Sequence, residues 1–292
     1  MNLAVAVMFL NEEEYLPKLL ASVARQSRPP EHLLLVDDGS DDASPAIASR
    51  FAERHAYARV LRRPARARSA DRLATASELM AFEWAVERLG APYDVIAKLD
   101  GDLELTPRCF ERVVAALERD PRLGIAGAAL DLRGPDGTLR PERSAPWHVR
   151  GATKFYRREC WEQIAPLPPM LGWDTIDEAR ARMRGWRVAA VELPEGNLLH
   201  MRPTGTHDGA IRGSRRRGAA AWAYGAHPVH VVGSALVRAS EPPRGLGAAA
   251  YLGGWLRAAL HREPRAEPEL LRFIRTEQRL RLRNLVLRRA GG

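Results

Sequence analysis

Three apolar runs in the first hundred residues each end in acid. "NLAVAVMFL" (2–10) runs into Asn11 and Glu12, "HLLLV" (32–36) into Asp37 and Asp38, and "VIAKL" (95–99) into Asp100, Gly101 and Asp102. Unbroken apolar runs of this length belong to strands covered on both faces, as in a parallel sheet. Between them lie segments with helical spacing. Leu16, Leu19, Leu20 and Val23 share one helical face, which predicts a helix to about Gln26, with Asn11 as its cap and Glu14 three residues on. Asp42 or Ser44 can cap a second helix through Phe51. "ARVLRR" (58–63) reads as a third strand, a long helix is expected over roughly 70–89, and residues 95–99 form the fourth strand. Strand–helix–strand repetition with short connections implies an α/β fold with a mostly parallel, doubly wound sheet.

In such a sheet, ligands bind at the carboxyl ends of the strands. All of the strand-ending acids therefore fall on one rim. Asp100-Gly101-Asp102 alone fits an aspartate–glycine turn. It also fits a cation site, because residues i and i+2 of an extended chain face the same way. Two carboxylates suit Mg²⁺ or Mn²⁺. Several carboxylates on one rim repel one another unless cations or hydrogen-bond donors offset them, and this favours the cation site over the turn. No Gly-x-Gly-x-x-Gly follows the first strand and no Walker-type loop occurs, so dinucleotide binding and ATP hydrolysis are disfavoured.

Composition narrows the partners. The chain has 292 residues and 46% hydrophobic content, enough for one large or two small domains. Its net charge is +9, but lysine occurs only at 18, 98 and 154, so nearly all of its 45 basic residues are arginine. No basic stretch is interleaved with aromatics, and no nucleic-acid partner is expected. Cys109 and Cys160 have no metal-like spacing and imply no disulfide framework, which suits a reducing cytoplasm. The apolar N-terminus lacks a basic region and a cleavage pattern, and reads as a core strand and not a signal peptide. No apolar stretch is long enough to span a bilayer; the nearest, residues 245–260, is short and glycine-rich.

Four segments, in order, carry a resemblance: "FLNEEEYLPKLLASVARQS", "LLLVDDGSDDASPAIA", "VIAKLDGDLELTP" and "WDTIDEARARMRGW". Together they resemble the inverting family-two glycosyltransferases of GT-A fold, over about residues 1–205. "VRGATKFYRRECWEQI" (149–164) resembles the stretch preceding the family's acceptor-side helix. The resemblance implies a GT-A catalytic domain over 1–210, with a nucleotide-binding half (1–105) and an acceptor-side half (106–210). A mainly helical extension, 211–292, would follow. It implies transfer of a sugar, with inversion, from a nucleotide-diphospho-sugar, UDP- or GDP-linked, to a saccharide or lipid-linked acceptor. The setting would be cell-surface polysaccharide or glycoconjugate synthesis, in the cytoplasm or at the inner face of the membrane.

The same resemblance places residues. Asp38 matches the position that hydrogen-bonds the nucleobase, and Asp37 serves the nucleoside or the loop, or is simply a capped turn. Asn11 and Glu12 lie beside the nucleotide. Asp100 and Asp102 match the family's Asp-x-Asp, the second acid holding the Mn²⁺ or Mg²⁺ that bridges the donor's phosphates. His200 matches a third metal ligand. Arg202, with Thr204 and Gly205, would contact phosphate, with His207 nearby. The general base is expected at Asp174, eleven residues before Gly185, with Asp177 or Glu178 in reserve; Trp173 stands where the family usually has glutamate. The alternative for Asp174 is an N-cap, with Asp177 favoured by the helix dipole. The synthase motif Gln-x-x-Arg-Trp is absent, which argues for single addition. The arginines of 62–72 either face the diphosphate or form a solvated surface.

Residues 211–228 suggest a helix with a mobile entry, and 241–254 suggest a linker. A basic amphipathic helix is predicted over 267–289. It packs either on the catalytic domain or a second subunit, or else on anionic lipid. Two other functions share the fold. One is a non-catalytic nucleotide-sugar-binding protein. The other is a sugar-1-phosphate nucleotidyltransferase, which usually opens with a glycine-rich signature where this chain has "FLNEEEY".

Overall fold

The computed structural model describes residues 1–64, 74–133, 137–142, 148–202, 209–240 and 243–290, with side chains to residue 284. The chain divides into two compact units. One comprises Met1–Ala70, Ser77–Pro166 and Arg184–Pro203; the other comprises Asp71–Ala76, Leu167–Met183 and Thr204–Gly292.

The first unit opens with β1 (Leu3–Phe9), α1 (Leu16–Ala24), β2 (His32–Asp37), α2 (Ser44–Arg54), β3 (Ala58–Arg62), α3 (Ser77–Glu87) and β4 (Val95–Asp100). It continues through β5 (Leu103–Glu104), α4 (Cys109–Arg119), β6 (Leu123–Ala128), β7 (Leu130–Arg133), β8 (Leu139–Pro141), β9 (Thr153–Arg157) and α5 (Arg158–Ile164). After α6 (Trp173–Met183), which belongs to the second unit, it closes with β10 (Arg187–Val191) and β11 (Leu198–His200). The main sheet has seven strands in the order β10-β6-β9-β4-β1-β2-β3. Only β9 runs against its neighbours. A second sheet, β5-β11-β7-β8, stands apart from it.

The apolar runs explain the layers. All seven residues of β1 are buried. Leu3, Val5 and Val7 join Leu33, Leu35, Ala97 and Leu99 in one core, under Leu19 and Val23 of α1 and Val113 and Leu117 of α4. Phe155 of β9 faces this core, where it meets Phe110 edge-on. Its neighbour Tyr156 points the other way, as alternate strand residues must, and packs with Phe82 of α3 and Trp161 of α5. Helices thus cover both faces of a mostly parallel sheet, as the sequence implied.

Several local expectations are corrected. Asn11 does not cap the first helix. It sits at φ +56°, a left-handed conformation that asparagine tolerates. Its Oδ1 accepts from the N–H of Asp41 instead. The helix starts five residues later, after a turn in which the Glu12 carbonyl accepts from Tyr15 and Leu16. It ends at Ala24 and not near Gln26. The second helix begins at Ser44, whose N–H donates to Asp42 Oδ1. The helix expected from 70 begins at Ser77.

The second unit holds α6, α7 (Ala210–Ala223), α8 (Pro228–Ala239), α9 (Leu246–Leu260) and α10 (Pro268–Ala290). The linker expected over 241–254 is overturned, since α9 begins at Leu246. Its glycines are not breakers but contact points. A Cβ on Gly254 would lie 2.1 Å from the Arg215 carbonyl oxygen, and one on Gly218 would lie 1.9 Å from the Tyr251 carbonyl oxygen. Bare glycines thus let α7 and α9 cross backbone to backbone. Leu270 and Ile274 of α10 are buried with Ile176 and Ala179 of α6. Ion pairs Arg180–Glu267 (2.7 Å) and Arg182–Glu277 (3.0 Å) flank that contact. The first turns of the amphipathic stripe of α10 are therefore a packing face, while Leu280, further along, is 45% exposed.

Gly254→Ala should destabilise the chain by about 1–3 kcal/mol, the usual cost of forcing a methyl into a closed contact. A urea midpoint that does not move would contradict the close crossing of α7 and α9.

Candidate active site

Strand register brings the acids together. In the parallel pairings Met8 lies beside Asp100 and Phe9 beside Asp37, so β1, β2 and β4 end on the same rim. Gly101 is small for a reason: a Cβ there would lie 3.1 Å from Glu12 Cγ and 3.2 Å from Phe9 Cβ. The third group arrives through the second sheet. Antiparallel pairing of β11 with β5 sets His200 opposite Leu103, next to Asp102. Asp100, Asp102 and His200 then offer one ligand atom each, all within 4.8 Å of one another.

Each acid has an offsetting partner. Asp102 Oδ1 lies 3.4 Å from His200 Nε2, and its Oδ2 accepts from Arg202 Nε at 3.1 Å. The same guanidinium pairs with Glu12 Oε1 and lies 5.1 Å from the centre of the Tyr15 ring. Glu12 Oε2 is buried and, among the described residues, has no hydrogen-bond partner. Asp100 and Glu78 both pair with the ammonium of Lys98, which also donates to the Gly151 carbonyl at 2.7 Å. His200 Nδ1 lies 3.8 Å from Glu142 Oε2, and Glu142 also pairs with Arg150. A carboxylate behind a ligating imidazole is a common means of orienting the ring.

The electrostatics follow from burial and pairing. Burial pushes the Glu12 carboxyl up to about 7 against the opposing pull of Arg202. Burial alone would raise Asp100, but Lys98 holds it well below the usual carboxylate range. Glu78 is raised, by burial first and the Asp100 charge next. For Lys98, burial opposes the charge, and Asp100 and Glu78 more than offset it, so the ammonium is held above its ordinary value. Burial would also lower His200, yet the carboxylates of Asp102 and Glu142 push it up to about 10.

Two carboxylates and an imidazole form a donor set that accommodates a divalent cation, and the imidazole suits Mn²⁺ better than Mg²⁺. The Lys98 ammonium and the Arg202 guanidinium set positive charge beside these acids. The site residues read from the sequence at 12, 100, 102, 200 and 202 thus meet at one place.

The residues after β2 play other parts. Asp37 is buried, and its Oδ1 accepts from the N–H groups of Gly39 (3.1 Å) and Ser40 (2.7 Å). With Gly39 at φ +94°, this is the capped turn. Asp38 pairs with buried Arg63. Of the arginine run, residues 65–72 lie outside the described residues, as do Thr204, Gly205 and His207.

In the second unit, Gly172, at φ +79°, precedes α6, and its carbonyl accepts from Thr175 and Ile176. Asp174 is therefore in the first turn and is not the N-cap. It is half-buried, and its charge adds to the burial that raises the Tyr224 hydroxyl. Asp177 is fully buried, with Oδ1 accepting from the Glu178 N–H at 2.6 Å.

Lys98, Glu78 and Glu142 were not singled out from the sequence; Arg63, read there as facing the diphosphate or solvent, is instead buried against Asp38. Only Lys98 left a local signal there: a lysine inside an apolar run that must be buried needs an acidic partner.

Comparison with known proteins agrees with this geometry. The model of "Glycosyl transferase family 2" matches residues 4–166, more than half of the chain. A polyprenol monophosphomannose synthase of Mycolicibacterium smegmatis is 29% identical over 147 residues, 49% of this chain and 48% of that protein. An N-acetylglucosaminyl-diphospho-decaprenol L-rhamnosyltransferase of Mycobacterium tuberculosis is 26% identical over 185 residues, 59% of this chain and 58% of that protein. The chain thus spans about half the length of the curated relatives it matches. Among solved structures, the mannosyltransferase PcManGT of Pyrobaculum calidifontis, in complex with GDP-Man and Mn²⁺, superposes with a TM-score of 0.55 at 18% identity. That match covers 96% of this chain and 80% of the other, and carries the fold alone.

Lys98→Met leaves Glu78 and Asp100 without their shared cation. The expected loss is about 3 kcal/mol, the lower end for a broken buried pair, because Glu78 keeps 32% of its side chain exposed. Adding Glu78→Gln should recover part of it. An unchanged denaturation midpoint in Lys98→Met would show that the lysine does not hold these acids.

Proposed function

The chain belongs to glycosyl transferase family 2 and has a GT-A fold, and from this premise we propose that it moves a sugar, with inversion, from a nucleoside-diphosphate sugar to an acceptor hydroxyl. The convergence of Asp100, Asp102 and His200 within 4.8 Å on the carboxyl rim of the sheet carries this reading. These three residues would hold a divalent cation, Mn²⁺ before Mg²⁺. Bound there, the cation would neutralise the donor's pyrophosphate and the charge that grows on the leaving nucleoside diphosphate.

The chain's own residues supply the rest. Asp38, past the end of β2, would accept from a nucleobase, while Asp37 holds the turn that precedes it. Arg202, whose fork now spans Glu12 and Asp102, suits a phosphate once the acids are engaged elsewhere. Asp174 takes the proton from the acceptor hydroxyl. It is preferred over Asp177 because Asp177 is fully buried and committed to the helix backbone.

The donor is a UDP- or GDP-sugar. The names of the two curated relatives, one a polyprenol monophosphomannose synthase and the other acting on a diphospho-decaprenol, support a lipid-linked acceptor. A lipid-linked saccharide or polyprenyl phosphate, in cell-surface polysaccharide or glycolipid synthesis, fits best.

Melting the chain with UDP- and GDP-sugars, each with Mn²⁺, Mg²⁺ or EDTA, tests the donor site, since a ligand that binds only the folded state raises the midpoint. One nucleotide class should raise it, and only with metal. Asp102→Ala should remove both that shift and transfer while folding is kept. Asp174→Asn should keep the shift and lower kcat by about 10²–10⁴. No shift with any donor would sink the catalytic reading and favour a protein that merely shares the fold.

A further inference from the structure

Helices α8 and α9 are built inside out. A helix packed on a globular unit buries its large aliphatics. In α9 the buried residues are Gly247, Ala248, Tyr251, Gly254 and Ala258. Its leucines point outward: Leu252, Leu256 and Leu260 follow at i, i+4 and i+8, with Leu256 53% and Leu260 74% exposed. In α8, Val231 and Ala235 are buried, while Val229, Val232 and Leu236 form an exposed stripe, with Leu236 70% exposed. Such an accumulation on one pair of packed helices is a docking surface and not scattered surface apolarity.

Charge says what docks. From Pro228 to Arg262, the span of α8 and α9, the chain holds four arginines, at 238, 244, 257 and 262, against one acid, Glu241. Arg257, His261 and Arg262 are exposed at the end of α9, beside the outward leucines. A symmetric dimer through this face would set arginines against arginines, which is unfavourable. Neither helix is long and apolar enough to cross a membrane. Exposed aliphatics among cations and almost no acids are the marks of a helix that lies in the interface of an anionic bilayer.

We propose that the outward faces of α8 and α9 dock this protein onto an anionic membrane surface, with Leu252, Leu256, Leu260, Val232 and Leu236 entering the headgroup boundary and the surrounding arginines meeting lipid phosphates. This moves the lipid contact away from the start of α10, whose Leu270 and Ile274 are buried against α6. The inference stands apart from the reading of the cation site, because vesicle binding needs neither donor, metal nor acceptor.

The test is flotation of the full chain with phosphatidylglycerol vesicles and with phosphatidylcholine vesicles, at low and high salt. The protein should float with the anionic vesicles at least about tenfold more than with the neutral ones, and less at high salt, because each arginine near the surface adds to binding. Leu256→Glu with Leu260→Glu should reduce flotation about tenfold, with an unchanged melting midpoint, since both side chains are already in water. Leu256→Ser with Leu260→Ser serves as the milder pair and should fall between them and the parent. No flotation with anionic vesicles at low salt would overturn the proposal. So would equal flotation of the double glutamate variant, which would place the contact elsewhere. A concentration-dependent dimer abolished by the same variant would reassign the face to a second copy of the chain.

Discussion

The rim where β1, β2 and β4 end carries more negative charge than a folded edge can hold unaided. Glu12, Asp37, Asp38, Asp100 and Asp102 crowd there because the strands are parallel and in register. The cations that offset them come from different parts of the chain. Arg62 ends β3 and Arg63 follows it, Lys98 lies within β4, and His200 ends β11 with Arg202 just beyond. Balancing this charge therefore ties distant segments to the sheet edge. It also explains a compositional oddity. In a chain whose basic residues are nearly all arginine, position 98 stays lysine. A compact ammonium with three donors can meet Glu78, Asp100 and the Gly151 carbonyl at once, where a planar fork would not fit.

Against its burial, the carboxylates of Asp102 and Glu142 favour the protonated form of the His200 ring. Arg202 occupies Asp102 Oδ2. A divalent cation entering this site competes with a proton and with a guanidinium, so metal binding would release the first and free the second. The proposed phosphate contact would fall to that arginine. Cation and donor phosphates would thus support each other's binding through Arg202, without any movement of the sheet.

The main sheet was legible in the sequence because its strands are long, buried on both faces and punctuated by acids. Asp100 and Asp102 were legible as a cation site from their spacing at a strand end, but His200, nearly a hundred residues from Asp102, was legible only through the resemblance. The second sheet left no signal: β5 has two residues and β11 three, too few for any periodicity. Cap chemistry misled at Asn11, whose side chain serves the neighbouring loop, because tertiary partners outbid local ones. Glycine misled in α9, where its usual meaning as a breaker gave way to a close helix crossing. Glu142 and Arg63 acquire their roles only from contacts made after folding.

Glycine-for-contact packing and leucine-for-solvent exposure on α9 are two sides of one arrangement. If the leucines faced α7, the helices would have to separate, and the backbone contacts at Gly218 and Gly254 would be lost. Placing small residues inward fixes a tight, rigid helix pair and leaves the bulk outward. Water does not favour that choice, but a bilayer boundary does. The same unit carries α6, with Asp174 in its first turn, and α10 braces α6 through Leu270 and Ile274. The acid proposed to activate the acceptor and the surface proposed to meet lipid therefore belong to one compact body.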